Sequence, residues 1–203
     1  MSDAAEYLHA MYAGSDDPWQ IGAGFYERRK REIVLACLPR QRFRSAFEPG
    51  CGTGELTLPL AERCDRLLAA DLVPRAVQLA RQRLGSSYDK AGERGVELRQ
   101  LGLPDWPSER RFDLVVLSEL GYYVSPSDWR SAIGRMAETL LEPWTVLACH
   151  WMRPFAERLQ STDDVHAAIS ERLPGSRLLL LQDADFRLEV WSSLRSVARA
   201  ESR

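Results

Sequence analysis

Cysteine is scarce in this chain and never paired. Its four copies, Cys37, Cys51, Cys64 and Cys149, form no C-x-x-C motif and accompany no histidine cluster at metal-ligand spacing. This excludes a disulfide-stapled scaffold, gives no metal site, and predicts reduced, mostly buried thiols. Long apolar runs are missing too, with none approaching the roughly 18 residues of a membrane span. The opening Met1-Ser2-Asp3 lacks the basic start and apolar core of a secretory leader, so a cytoplasmic setting away from membranes is expected. Nor is there an excess of one charge, since 27 basic residues face 29 acidic ones for a net charge of −2. Such a balance offers a phosphate backbone no general attraction and argues against nucleic acid as a partner. No internal repeat or low-complexity tract is visible.

What is present is a chain of 203 residues, 45% hydrophobic and 28% charged, enough for one good core. Apolar runs alternate with amphipathic stretches in the manner of a parallel α/β sheet. The expected architecture is a Rossmann-like, doubly wound, seven-stranded sheet over residues 25–203, preceded by an N-terminal cover segment over 1–24 that carries a short helix at Ala4 to Met11. From Phe25 to Leu38, Ile33, Val34, Cys37 and Leu38 share a helical face, and Pro39 ends the run. Strands are expected at Ser45 to Glu48, Arg66 to Asp71, Val96 to Leu101, Phe112 to Leu117 and Thr145 to His150. Between the first two, Leu56, Leu60 and Cys64 recur at helical spacing, and Ala76, Leu79, Ala80 and Arg83 mark the inward face of a later helix. Gly85 to Gly95 reads as a loop. Ser125-Pro126-Ser127-Asp128 opens a helix bearing Trp129, Ile133, Met136 and Leu140, and Ser161 to Asp164 opens another with Val165, Ala168 and Ile169 on one face. Ser176 to Leu181 and Phe186 to Trp191 form a closing antiparallel hairpin.

The densest chemical signal is Glu48-Pro49-Gly50-Cys51-Gly52-Thr53-Gly54, an acid followed by glycines at alternate positions. The dinucleotide fingerprint spaces its glycines G-x-G-x-x-G, so this loop departs from it. The pattern E-x-G-x-G-x-G resembles motif I of class I methyltransferases that use S-adenosylmethionine (SAM). In an open parallel sheet, ligands bind beyond the carboxyl ends of the strands where the strand order reverses, and the candidate residues fall there. Gly50, Cys51, Gly52 and Gly54 let backbone approach the cofactor. Glu48 is either a strand-end acid or a carboxylate that orders the loop and reaches the methionine ammonium. Asp71, seventeen residues after Gly54, can accept both ribose hydroxyls, with Leu72 beside it. Leu103 stands where an acid for the adenine amino group is usual, leaving apolar contact or a shifted role for Asp105.

At the end of strand four, Ser118 is a cofactor contact and Glu119 either a base, a group that orients an amine, or a strand-end acid bonded to backbone. Tyr122 and Tyr123 wall the acceptor pocket, one of them packing into the core. D-P-P-Y and N-P-P-Y are absent, which again points to a small-molecule acceptor. His150 and Trp151 end strand five, where His150 is a candidate proton acceptor or merely satisfies a carbonyl. His166 is a candidate substrate contact set against a structural role within its helix.

Together these residues resemble the NodS-like branch of the class I methyltransferases. The likeness is carried by Asp17-Pro18-Trp19, Tyr26-Glu27-Arg28-Arg29-Lys30, Leu38-Pro39, Asp71 with Pro74-Arg75-Ala76, Phe112 to Val116, and Ser118-Glu119 leading to Tyr122-Tyr123. It implies that the N-terminal segment covers SAM, with Trp19 over it and Arg29 paired to the methionine carboxylate. It implies N-methylation of an amine, since NodS proteins methylate the free amine of a deacetylated glucosamine unit on a chitooligosaccharide. The chain departs from those proteins in motif I, where they tend to carry alanines, in His150 and His166, and in Glu142-Pro143-Trp144 before strand five. O-methylation with His150 as base, a non-catalytic SAM-binding protein and NAD-dependent reduction are the competing readings.

Overall fold

The computed structural model describes residues 3–85 and 95–201. Seven strands form one sheet in the order β3-β2-β1-β4-β5-β7-β6. They are β1 (Phe43–Pro49), β2 (Cys64–Asp71), β3 (Gly95–Gln100), β4 (Phe112–Ser118), β5 (Leu140–Trp151), β6 (Ser176–Gln182) and β7 (Phe186–Ser192). The first five run parallel, while β7 pairs antiparallel with both β5 and β6. The order therefore reverses between β1 and β4, where two neighbouring strands send their connections to opposite sides and leave a crevice at their carboxyl ends. β4 is buried along nearly its whole length, as a central parallel strand must be. Asp113 within it is fully buried, and its carboxylate accepts the backbone N–H groups of Arg44 and Ser45 at 3.1 and 2.8 Å and pairs with Arg40 at 3.2 Å.

The α-helices among the described residues are α1 (Asp3–Gly14), α2 (Phe25–Ala36), α3 (Thr57–Ala61), α4 (Pro74–Leu84), α5 (Pro126–Thr139), α6 (Thr162–Arg172) and α7 (Val197–Glu201). Two apolar clusters divide the sheet's faces. One gathers Trp129, Ile133, Met136, Val165 and Ile169 from α5 and α6 against β4 and β5. The other gathers Val34, Leu60, Ala80 and Leu84 from α2, α3 and α4 against β1 and β2. No helix among the described residues is long and apolar enough to cross a membrane. All four cysteines are unpaired, three of them buried.

Several boundaries differ from the sequence expectation. Cys64 does not continue a helix: α3 ends at Ala61 and Cys64 begins β2. Leu140 likewise leaves α5 and starts β5, which runs twelve residues because its first part extends beyond the buried sheet. On α4 the inward residues are Ala76, Val77, Ala80 and Leu84. Arg83 is exposed, and its guanidinium turns back to Glu55 at 2.5 Å. Most of the loop expected from Gly85 to Gly95, residues 86–94, lies outside the described residues.

Candidate active site

A cavity of about 570 Å³ opens at the carboxyl ends of β1, β2, β4 and β5, a volume within the usual range for small-molecule sites. At one end the glycine loop is fastened to β2. Cys51 N–H donates to Ala70 O at 2.9 Å, and Gly52 N–H donates to the Asp71 carboxylate at 3.0 Å. The other Asp71 oxygen accepts Val73 N–H at 2.9 Å. Burial pushes the Asp71 pKa up, and the amides of Val73 and Gly52 oppose it. Gly50, Gly52, Asp71, Leu72 and Leu103 all line the cavity. Gly52 sits at φ +53°, where a Cβ would stand 3.2 Å from the Tyr12 hydroxyl, so only glycine keeps this wall open.

Three motif residues take supporting places and do not line the cavity. Glu48 is 3% exposed beneath the loop, one carboxylate oxygen lacks a hydrogen-bond partner, and desolvation raises its pKa to about 8. A carboxyl so placed is largely neutral at pH 7 and stands behind the cavity wall. The Cys51 side chain turns into the cluster with Leu56 and Leu60. Gly54 (φ +82°) faces α4, where an added Cβ would meet Ala80 Cα at 3.3 Å, so its smallness serves helix packing.

The N-terminal residues form a second wall. Asp17 accepts the N–H groups of Ile21 and Gly22 at 2.8 and 3.0 Å, closing the turn that presents Trp19 edge-on to Tyr12 at 5.6 Å. Tyr7, Leu8, Tyr12 and Trp19 all line the cavity. Arg75, on α4, fastens this segment through Asp16 at 2.7 Å.

At the other end lie Ser118, Glu119, Tyr122, Tyr123 and Trp151. Glu119 is held at φ +57°, an uncommon conformation for a side-chain-bearing residue and one that clusters at functional sites. The Tyr122 hydroxyl donates to Glu119 Oε2, which also accepts Trp151 N–H at 3.3 Å. Behind them the loop after β5 docks on the 3-10 turn Gly121–Tyr123. Leu159 N–H donates to Tyr122 O at 2.8 Å, and Gln160 donates to Gly121 O and Val124 O, both at 2.9 Å.

Two further expectations about site residues are corrected here. Arg29 does not line the cavity: it pairs with Asp183 of the β6–β7 turn at 2.9 Å, because the face of α2 toward the cavity carries Glu27 and Lys30. His150 and His166 are both buried away from the cavity, at 0% and 2% exposure. His150 Nε2 accepts Gly121 N–H at 3.2 Å, which places the His150 proton on Nδ1, facing His166 Nε2 at 3.1 Å. His166 Nδ1 then donates to Glu189 at 3.1 Å. Burial drives the pKa of His150 well below its ordinary range and lowers that of His166. They form a neutral internal relay, with every ring nitrogen engaged.

Sequence reasoning missed Lys30 as a site residue, together with Glu27, Asp128, Phe155 and Glu157, all of which line the cavity. For Lys30 a signal existed, since it lies one helical turn after Tyr26 and one before Val34, on the stripe that α2 buries. Glu157 and Phe155 lie on an irregular loop, where no periodicity points.

Comparison with known proteins supplies the family. The model of the Nodulation protein S (NodS) family matches residues 3–148. The chain belongs to this family. Among relatives, Nodulation protein S of Rhizobium tropici is 30% identical over 128 residues, covering 62% of this chain and 51% of the relative. That of Sinorhizobium fredii is 32% identical over 118 residues, covering 58% and 51%. The chain thus spans about half the length of these curated NodS relatives. A putative methyltransferase from Pseudomonas syringae of known structure is 44% identical, covering 83% of this chain and 99% of that one, with a TM-score of 0.69. The N-methyltransferase NodS from Bradyrhizobium japonicum WM9, solved with S-adenosyl-L-homocysteine (SAH), shares the fold at a TM-score of 0.81 and 23% identity, covering 94% and 98%. The Rossmann-like methyltransferase fold with antiparallel final strands is therefore the fold of this NodS-family chain.

Proposed function

We propose that this protein transfers a methyl group from SAM to the amine of a small-molecule acceptor, with a deacetylated amino sugar as the leading candidate. The observation that carries the reading is one continuous cavity joining the Gly50–Gly52–Asp71 end to the Glu119–Tyr122–Trp151 end across the β1/β4 switch point. The donor set fits the cofactor. Asp71 has each oxygen fixed by one backbone amide and retains lone pairs for ribose hydroxyls, Leu72 and Leu103 offer apolar contact to adenine, and the wall at Gly52 has no side chain. Trp19, Tyr7 and Tyr12 support the reading of residues 1–24 as a cover segment.

SAM supplies a methyl group on a sulfonium, an excellent leaving group. The residues of this chain have to place an acceptor nitrogen in line with it and exclude water. The acceptor lone pair forms the N–C bond as the C–S bond breaks and its electron pair returns to sulfur. The product ammonium carries the positive charge. Among the described residues, Glu27, Asp71, Glu119, Asp128 and Glu157 line the cavity against Lys30 alone of the basic ones, a balance that favours a cationic or hydrogen-bond-donating ligand over an anionic one. Tyr123 and Phe155, packed on each other with ring centroids 5.5 Å apart, add aromatic surface to the cavity that suits contact with the apolar face of a sugar ring. O-methylation needs a base for a hydroxyl, and His150 is withdrawn from that role by its burial and its filled nitrogens.

Incubation with methyl-labelled SAM and a panel of glucosamine oligomers tests the proposal. Label is expected on the free amine of at least one oligomer. Transfer to hydroxyl or carboxylate acceptors with none to any amine would overturn it.

A further inference from the structure

Lys30 is only 5% exposed, yet it lines the cavity. Its Nζ stands 2.9 Å from Glu27 Oε2, 3.2 Å from Glu119 Oε1 and 5.0 Å from the centre of the Tyr26 ring. A buried ammonium needs compensation, and one carboxylate would supply it. Here two carboxylates from separate elements flank it. On Glu119, Oε2 takes the Tyr122 hydroxyl and Trp151 N–H, while Oε1 is buried against Lys30, with its charge nearby but no hydrogen bond. The titratable groups facing Lys30 are Glu27 and Tyr26 from α2, Glu119 after β4, and Cys149 and His150 from β5. Burial would lower the Lys30 pKa, but Glu119 and Glu27 outweigh it and hold the value above the ordinary one. Lys30 is thus a fixed positive charge at the acceptor end of the cavity.

We propose that Lys30 is a positioning residue that keeps an acceptor nitrogen at Glu119 in its free-base form. The inference rests on the amine-methyltransferase reading above. An unbalanced Glu119 carboxylate would pair with an incoming ammonium and stabilise the protonated nitrogen, which has no lone pair to attack with. With Lys30 at 3.2 Å already balancing that carboxylate, an ammonium beside Glu119 gains less from it and the acceptor nitrogen is held as the neutral amine. The acceptor's extra proton leaves to water as the ligand enters.

The test is the pH dependence of kcat with a glucosamine oligomer, alongside SAH affinity by calorimetry. In Lys30→Met the acid limb of the kcat profile is expected to move up by about one pH unit or more, with kcat at pH 7 down roughly tenfold and recovered in alkali. SAH affinity stays within about twofold. Lys30→Arg keeps the limb where the wild type has it. Because Lys30→Met leaves two carboxylates facing each other, Glu27→Gln/Lys30→Met is measured beside it and shows the same shift. An unmoved limb in both Met variants, or loss of SAH binding in both, overturns the inference. No transfer by the wild type to any amine, with SAH still bound, overturns the amine reading and this inference together. Transfer with an unmoved limb overturns this inference alone.

Discussion

Asp71 uses one lone pair of each carboxylate oxygen on a backbone amide, Gly52 on one side and Val73 on the other. The same side chain therefore shapes the glycine loop and lines the cavity. Asp71→Asn replaces one acceptor with an NH2 group that faces an amide N–H. It is expected to weaken SAH binding at least about tenfold, roughly 1.4 kcal/mol, in a calorimetric titration. Unchanged affinity would show that ribose contacts lie elsewhere. Neighbouring positions on α2 show how far residue-level reading extends. Arg29 and Lys30 are adjacent in sequence but about 100° apart around a helix, so one meets Asp183 and the other Glu119. The motif identified the segment, and helical phase decided which cation enters the site.

At the scale of elements, the relay Gly121–His150–His166–Glu189 ties the 3-10 turn, β5, α6 and β7 together through the core. Arg177 and Arg187 close its outer end on Glu189 at 2.8 and 2.6 Å. Replacing His166 with Leu leaves His150 Nδ1–H without a partner and Glu189 Oε1 with Arg187 alone. Urea unfolding is expected to show a loss of about 2–4 kcal/mol, with the acid limb of the kcat profile unmoved. A shifted limb would return the histidines to a role in proton transfer. The strands and most helices were legible because burial imposes periodicity: β4 is apolar throughout, and Ser161 caps α6 through Asp164 as its motif predicts. The sequence leaves His150 open between site and core because the carboxyl end of a strand is where functional side chains gather. Whether a given one points into the cavity or into the core depends on the strand's alternation and on what packs over it. For His150 that neighbour is α6, which supplies His166.

Across the whole molecule, buried carboxyls set opposite trends of stability with pH. Glu48, raised to about 8 by burial, stays protonated in the fold while the unfolded chain ionises near its ordinary 4.5. Its contribution is present below pH 4.5 and is lost as pH rises toward 8. Glu48→Gln is therefore expected to flatten the unfolding free energy between pH 4.5 and 8 in the ligand-free protein. An unaltered slope in urea titrations would show Glu48 ionised in the fold. Glu189 works the other way. Burial raises its pKa, but His166 and the arginines overcome that and hold it at about 2, so its stabilising share is present above pH 4.5 and fades as pH falls toward 2.

The amino-acid sequence by itself determined the sheet, the glycine loop, Asp71 and the methyltransferase family, because those rest on local periodicity and on backbone requirements that few residues satisfy. Only the tertiary structure decided which polar groups share the cavity. It withdrew Glu48, Arg29, His150 and His166, and brought in Lys30 and Glu157. The physical reason is that a side chain's direction and dielectric surroundings are set by the elements packed against it, most of them far away along the chain.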